Sequence, residues 1–307
     1  MSNKITVVGS LNMDLVVTTP KVPVLGETIL GSGFMTAPGG KGANQAVAAA
    51  RLGGEVSMIG CVGNDIFGKD LLDNLLKNNV NIDNVAVKDS ASTGIAVIII
   101  KDGNNSIIVD PGANSLLTPE MVERSEEMIK NSDIMVVQLE IPLETMERAI
   151  SLAHKHGVKV LLNPAPGRKL SDELLLKVSI LTPNETECEI ITGHEIRSIE
   201  AAKRGVDFLN QKGINQVIVT LGGKGVVYNS SKGIVHKEVP SVKVVDTTAA
   251  GDSFTGAVAL ALSQGKTIDE AVDFGNVVGT LTVTKKGAQT SLPSIEEVQK
   301  FLKGTQT

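Results

Sequence analysis

The chain has 307 residues, a formal net charge of −5, two cysteines, no tryptophan, one tyrosine and six phenylalanines. That length can bury a core without cross-links. Cys61 and Cys188, far apart and without C-x-x-C spacing, are expected to be reduced thiols rather than a disulfide framework or a zinc site. Lysines and arginines scattered over a net-acidic chain argue against a nucleic-acid partner. So few aromatics leave any bound adenine to pack on aliphatic side chains.

In chain order, the first apolar run, Ile5 to Val8, is broken by Gly9, Asn12 and Asp14 before it can serve as a secretory h-region, so no signal peptide is expected. The longest apolar stretches, Ile95 to Ile100 and Ala257 to Leu262 among them, fall far short of the roughly 18 to 20 residues of a membrane-spanning helix. A soluble, cytoplasmic protein without membrane contact is the expectation.

Short β-branched runs at Ile5 to Val8, Val56 to Cys61, Ile134 to Leu139, Val158 to Leu162, Ile180 to Thr182 and Val217 to Leu221 predict strands buried on both faces. Between them, Phe67, Leu71, Leu72, Leu75 and Leu76 form one helical stripe. Met146, Ala149, Ile150 and Ala153 form a second, and Ile199, Ala202, Val206 and Leu209 a third. This alternation predicts a single α/β domain over residues 1–307, a mostly parallel sheet with helices on both faces. Two stretches, about 11–38 and 93–110, have strand-like runs and Gly, Pro and Asn turns but no helical stripe. They read as an inserted β-sheet, either a lid over the carboxyl ends of the strands or ordinary surface hairpins.

Two glycine-rich or small-residue turns open helices. Pro38-Gly39-Gly40-Lys41-Gly42-Ala43-Asn44-Gln45 precedes an Ala-rich helical run, but Gly42 stands where a P-loop needs Ser or Thr. The first strand ends Val8-Gly9-Ser10-Leu11-Asn12, without the dinucleotide-binding glycine pattern. Asp246-Thr247-Thr248-Ala249-Ala250-Gly251-Asp252 leads into the helical run beyond Gly256. Small residues at 249–251 let a phosphate approach free helix N–H groups and the positive end of the helix dipole, which makes an anion hole. On this stretch alone, Asp252 reads either as a base accepting a proton from an attacking hydroxyl or as a carboxylate offsetting the dipole.

Taken together, Gly9 through Asp14, the Gly39 to Asn44 turn, Asn163-Pro164-Ala165-Pro166, Asn184-Glu185-Thr186-Glu187, Asp246 through Asp252 and Lys285 through Pro293 resemble, in family order, the ribokinase (PfkB-type) carbohydrate kinases. The resemblance implies ATP-dependent phosphorylation of D-ribose at its 5-hydroxyl, with sibling kinases of deoxyribose or fructose, or a non-catalytic sugar sensor, as alternatives. It implies that Asn12, Asp14, Gly40, Lys41, Asn44 and Glu140 hold the sugar, that Asp252 is the base, and that Ala249, Ala250 and Gly251 form the anion hole. Asn184, Thr220, Gly222, Gly225, Gly251 and Asn276 fall at nucleotide positions. Glu187 falls at the Mg²⁺ position, acting through water. Asp246, Thr248, Thr282, Lys285, Gly287 and Ser291 fall at the positions of an activating K⁺, mostly through backbone carbonyls. Asn184 before a helix is also an ordinary cap, and the Thr220 to Gly225 turn an ordinary β-turn. Pairing of lid strands with a second copy predicts a homodimer. The four histidines match no functional position and read as surface or loop residues.

Overall fold

The computed structural model describes residues 3–102 and 104–304; residues 1, 2, 103 and 305–307 of the expected domain lie outside the described residues. Its strands are β1 (Lys4–Val8), β2 (Asn12–Thr18), β3 (Ser32–Gly39), β4 (Glu55–Gly63), β5 (Val80–Lys88), β6 (Gly94–Lys101), β7 (Asn104–Asp110), β8 (Ile134–Val137), β9 (Lys159–Leu162), β10 (Ile180–Leu181), β11 (Gln216–Thr220), β12 (Val226–Ser230) and β13 (Gly233–Lys237). The helices are α1 (Lys41–Arg51), α2 (Ile66–Lys77), α3 (Pro119–Arg124), α4 (Glu126–Lys130), α5 (Leu143–Lys155), α6 (Asp172–Leu175), α7 (Glu185–Thr192), α8 (Ile199–Gln211), α9 (Ala250–Ser263), α10 (Ile268–Thr282) and α11 (Ile295–Gly304).

Nine strands form one sheet in the order β13-β12-β11-β10-β9-β8-β1-β4-β5. Pairing is parallel from β5 to β11 and antiparallel through β12 and β13. Successive residues of each central strand enter different cores. Ile5, Val7, Ile134 and Val136 pack with α1, α2, α9, α10 and α11 on one face. Val8, Met135 and Val137 pack with α3 to α8 on the other. This two-sided burial is why the strands read as continuous apolar runs instead of alternating ones. The helix starts are local: Asp65, Ser171 and Ser198 cap α2, α6 and α8, and Thr267 with Glu270 closes a capping box on α10.

The stretches 11–38 and 93–110 together build a second sheet, ordered β3-β2-β6-β7. Its β2 and β6 pair in parallel, Asn12 opposite Gly94, while the outer pairs are antiparallel.

The strand expected to run from Ile134 to Leu139 ends at Val137. Past that end Leu139 N–H donates to Ala165 O, and the Gln138 and Glu140 side chains bond to Gln45 and Ser10. Strand β1 has β4 and β5 on one side and β8 on the other, so the chain reverses its winding direction between β1 and β8. In open α/β sheets ligands bind outside the carboxyl ends of the strands at such a reversal.

Candidate active site

At that reversal Ser10, just past β1, donates to Glu140 Oε2 at 2.5 Å, and the same oxygen accepts the Lys41 N–H at 3.1 Å. Gly42 N–H donates to Ser10 Oγ at 3.3 Å and Ala43 N–H to Ser10 O at 2.9 Å. The first turn of α1 is thus capped by residues from the ends of β1 and β8 rather than by its own N-cap, Gly40. Gly40 adopts φ 87°, and a Cβ there would lie 2.6 Å from Asn12 N, so only glycine lets α1 start this close to β2. A Cβ at Gly39 would overlap the Asp14 carboxylate.

Asn12 and Asp14 reach the site from β2, Lys41 and Asn44 from α1, and Asp252 from the first turn of α9. Asn12, Asp14, Asn44 and Asp252 are buried. Asn44 Nδ2 donates to Asp252 Oδ2 at 2.9 Å and Gln45 Nε2 to Asp252 Oδ1 at 3.0 Å. Asn44 Oδ1 is buried without a hydrogen-bond partner, an acceptor that a hydroxyl-bearing ligand would satisfy.

Burial pushes the Asp14 carboxyl up to about 7, and the nearby charges of Glu140 and Asp252 act in the same direction against Lys41. Burial disfavours the charge on Lys41, but Asp252, Glu140, Glu187 and Asp14 outweigh it and hold the ammonium above the ordinary lysine range. Burial raises Glu187 despite its bonds from Asn184. The charge of this buried ammonium is thus favoured by four nearby carboxylates.

Two cavities meet at the N-terminus of α9. One, of about 240 Å³, is lined by Lys41, Asn163, Thr182, Asn184, Glu187, Thr255 and Ala249 to Asp252. The other, of about 430 Å³, is lined by Thr220, Gly222, Gly225, Phe254 and Asn276, and by aliphatic residues Val226, Val239, Pro240, Val242, Val244 and Val283. Ala250, Gly251, Thr220 and Thr247 line both. Asn276 Nδ2 is buried without a partner in the larger one. Ala249 holds a left-handed backbone at φ 60°, strain of a kind found at ligand clamps. It turns the chain so that the first N–H groups of α9, which lack intrahelical acceptors, border both cavities.

Asn184 caps α7 in a complete capping box, its Oδ1 accepting the Glu187 N–H at 2.8 Å while the Glu187 carboxylate accepts from Asn184 N and Nδ2. The cap and the cavity wall are therefore the same residues. Thr220 N–H donates to Pro183 O at 2.9 Å, and Gly222 to Lys224 form a short 3₁₀ turn closed by Gly225.

Asp246 ties the loop before α9 to the loop after α10. Its Oδ1 accepts from Thr248 N and Oγ1, and its Oδ2 accepts from Gly287 N. Burial opposes its charge, but these bonds outweigh it and keep the carboxyl below its usual range. Thr282 Oγ1 lies 2.9 Å from both Ser253 Oγ and Val278 O, Ser291 Oγ donates to Ala288 O, and Lys285 Nζ pairs with Glu297. These three side chains are engaged with protein partners.

Several site residues escaped the sequence reading. Gln45 and Asn163 stand inside the quoted motifs, yet nothing in their spacing reveals that they meet. Gln138 reads as part of a strand. Asn114, whose Nδ2 donates to Asn12 Oδ1 at 2.8 Å, lies 102 residues from its partner. The wall from Val239 to Val244 carries no motif. The histidines lie elsewhere, His156 on Glu126 and His236 on Lys224 O. Among the described residues no group of three or more His, Cys, Asp or Glu side chains could hold a metal, and no helix is long and apolar enough to cross a membrane.

Residues 2–295 match the family described as pfkB family carbohydrate kinase. The chain is 44% identical over 304 residues to a ribokinase of Haemophilus influenzae, covering 98% of this chain and 99% of that one. It is 39% identical over 300 residues to a deoxyribokinase of Salmonella typhimurium, with 97% and 98% covered. In structure it is similar to the ribokinase of Arabidopsis thaliana complexed with ribose and ATP, with a TM-score of 0.92, 36% identity and 99% of each chain covered.

Proposed function

This chain belongs to the pfkB family of carbohydrate kinases, and on that premise we propose that it passes the γ-phosphate of ATP to the 5-hydroxyl of D-ribose, giving ribose 5-phosphate and ADP. The observation that carries the reading is the position of Asp252. It lies at the N-terminus of α9, where the two cavities meet, with its carboxylate bonded to Asn44 of the polar cluster.

Ribose is held by Asn12, Asp14, Gly40, Lys41, Asn44 and Glu140. The two oxygens of Asp14 accept from neighbouring ring hydroxyls, and amides and carboxylates in such numbers suit a polyol and discriminate against analogues lacking a hydroxyl. ATP lies across the larger cavity, its base among valines and Pro240 with Asn276 as a donor, near Asn184, Thr220, Gly222 and Gly225. Its phosphates reach the α9 N-terminus. Asp252 takes the proton of the 5-hydroxyl as that oxygen bonds to the γ-phosphorus and the bond to the bridging oxygen of ADP breaks. N–H groups from Ala249 to Asp252 and the helix dipole stabilise the developing charge, and Lys41 adds a fixed positive charge.

Glu187 suits the Mg²⁺ that accompanies ATP, through water, because its carboxylate is already bonded to Asn184 yet borders the phosphate cavity. Carbonyls of Thr282, Lys285, Gly287 and Ser291, with Asp246 and Thr248, fit a K⁺ ion, which would supply fixed positive charge beside the anion hole. The second sheet acts as a lid that keeps water from ATP. Exposed Phe34, Met35, Ile107, Ile108 and Val109 on that sheet support pairing with a second copy. Two buried free thiols fit a reducing cytoplasm.

The test is ADP release with MgATP and KCl across ribose, 2-deoxyribose, fructose and adenosine, repeated with Na⁺ for K⁺. Ribose preference with K⁺ activation is expected. Preference for another sugar would change the substrate, and no turnover with any would leave a sugar sensor.

A further inference from the structure

Gln45 is wholly buried on α1, and both of its amide hydrogens are assigned by its neighbours. Nε2 donates to Asp252 Oδ1 at 3.0 Å and to Asn163 Oδ1 at 3.1 Å, while Oε1 accepts from Gln138 Nε2 at 2.6 Å. The amide cannot turn over without facing its oxygen toward the Asp252 carboxylate. Asn163 is fixed in turn, its Nδ2 donating to Thr182 O at 3.0 Å. Gln138, Asn163 and Thr182 each stand one residue beyond the ends of neighbouring strands β8, β9 and β10. A chain of amides therefore runs from the carboxyl ends of three interior strands to one oxygen of Asp252, and Asn44 holds the other. The cost is visible, because Gln138 Oε1 is left buried without a partner.

We propose that Gln45, backed by Gln138 and Asn163, is the positioning residue for Asp252, fixing the plane of its carboxylate from the sheet side while the opposite side faces the sugar. A buried, fully directed amide on a base is worth most in the transition state, where small errors of placement are costly. Asn44 also bonds to Asp252 but keeps its Oδ1 free for a ligand, whereas every polar atom of the Gln45 side chain is taken up by protein partners.

The inference rests on Asp252 being the base, and four proteins test the two ideas apart: the native chain, Gln45→Met, Asp252→Asn and the double variant. Gln45→Met is expected to lower kcat about 100-fold, with the affinity for unreactive 5-deoxyribose and the ribose KM within about threefold of native. In the Asp252→Asn background it is expected to cost nothing further, since a positioning residue has no work once the base is gone. A native kcat, or a loss that multiplies with Asp252→Asn, overturns the proposal, whereas native turnover by Asp252→Asn overturns the base itself. If Gln45→Met does not fold, Gln138→Met, which touches Asp252 only through Gln45, is expected to lower kcat about tenfold, and a native kcat there overturns the proposal.

Discussion

The two sheets of this protein are built to different standards. In the large sheet β1 and β8 are buried on both faces, and every residue of β8 is inside. In the small sheet β7 is exposed along its whole length, with Ile108 65% accessible. Yet both supply the site, Asp252 standing on the helix layer of the first and Asp14 on β2 of the second. On the proposed reading, the base sits on the fully buried layer and part of the sugar contacts on the more exposed one, an arrangement that suits a closing site.

Four substitutions sharpen that comparison. The largest effect is expected for Asp252→Asn, which keeps the bond from Gln45 or Asn44 but cannot take a proton; kcat should fall about 10²- to 10⁴-fold in steady-state ADP release while the melting temperature holds. Next, Leu161→Ala in the buried strand β9 should cost about 2–5 kcal/mol in denaturant unfolding.

Asp14→Asn divides function from stability. Because burial lifts the Asp14 carboxyl from 3.8 to about 7, the folded ligand-free protein holds that proton more tightly than the unfolded chain. Its stabilising contribution is present at low pH and is lost as pH rises through about 7. The variant should therefore melt about 2–5 °C higher than native at pH 8, with the gap closing toward pH 5. Its ribose affinity at pH 8 should fall about tenfold or more by calorimetry. Native ribose affinity should weaken as pH drops below about 7, since a protonated Asp14 loses an acceptor. The smallest effect is expected for Ile108→Thr on the open face of β7, within about 0.5 kcal/mol of native stability. A shift of the scattering mass toward monomer in that variant would tie the face to the proposed dimer.

Much of the architecture was legible beforehand. Ile5 to Val8 and Val217 to Leu221 read as strands because apolar β-branched runs bounded by polar turns have few other uses. The stripe at Met146, Ala149, Ile150 and Ala153 is wholly buried as expected. The stripe through Leu76 was less reliable, for that side chain is 53% exposed at the edge of α2. The polar ends of strands were the weak point: Gln138 and Thr182 read as strand, but β8 and β10 end one residue before them, and Gln138 Nε2 and the Thr182 carbonyl meet the side chains of Gln45 and Asn163.

By itself, then, the sequence determined the alternation of strands and helices, the second sheet from stretches 11–38 and 93–110, and the local capping of Asn184 with Glu187. Each depends on neighbours within a few residues or on a periodicity along the chain. Only the tertiary structure decided that Gln45 aims Asp252, that Asn114 orients Asn12, and that residues 239–244 wall the larger cavity. These pairings span up to 207 residues. A buried amide declares its partner only when the sheet has brought the two together, because any donor left unpaired inside the protein is costly and many acceptors could have met that need.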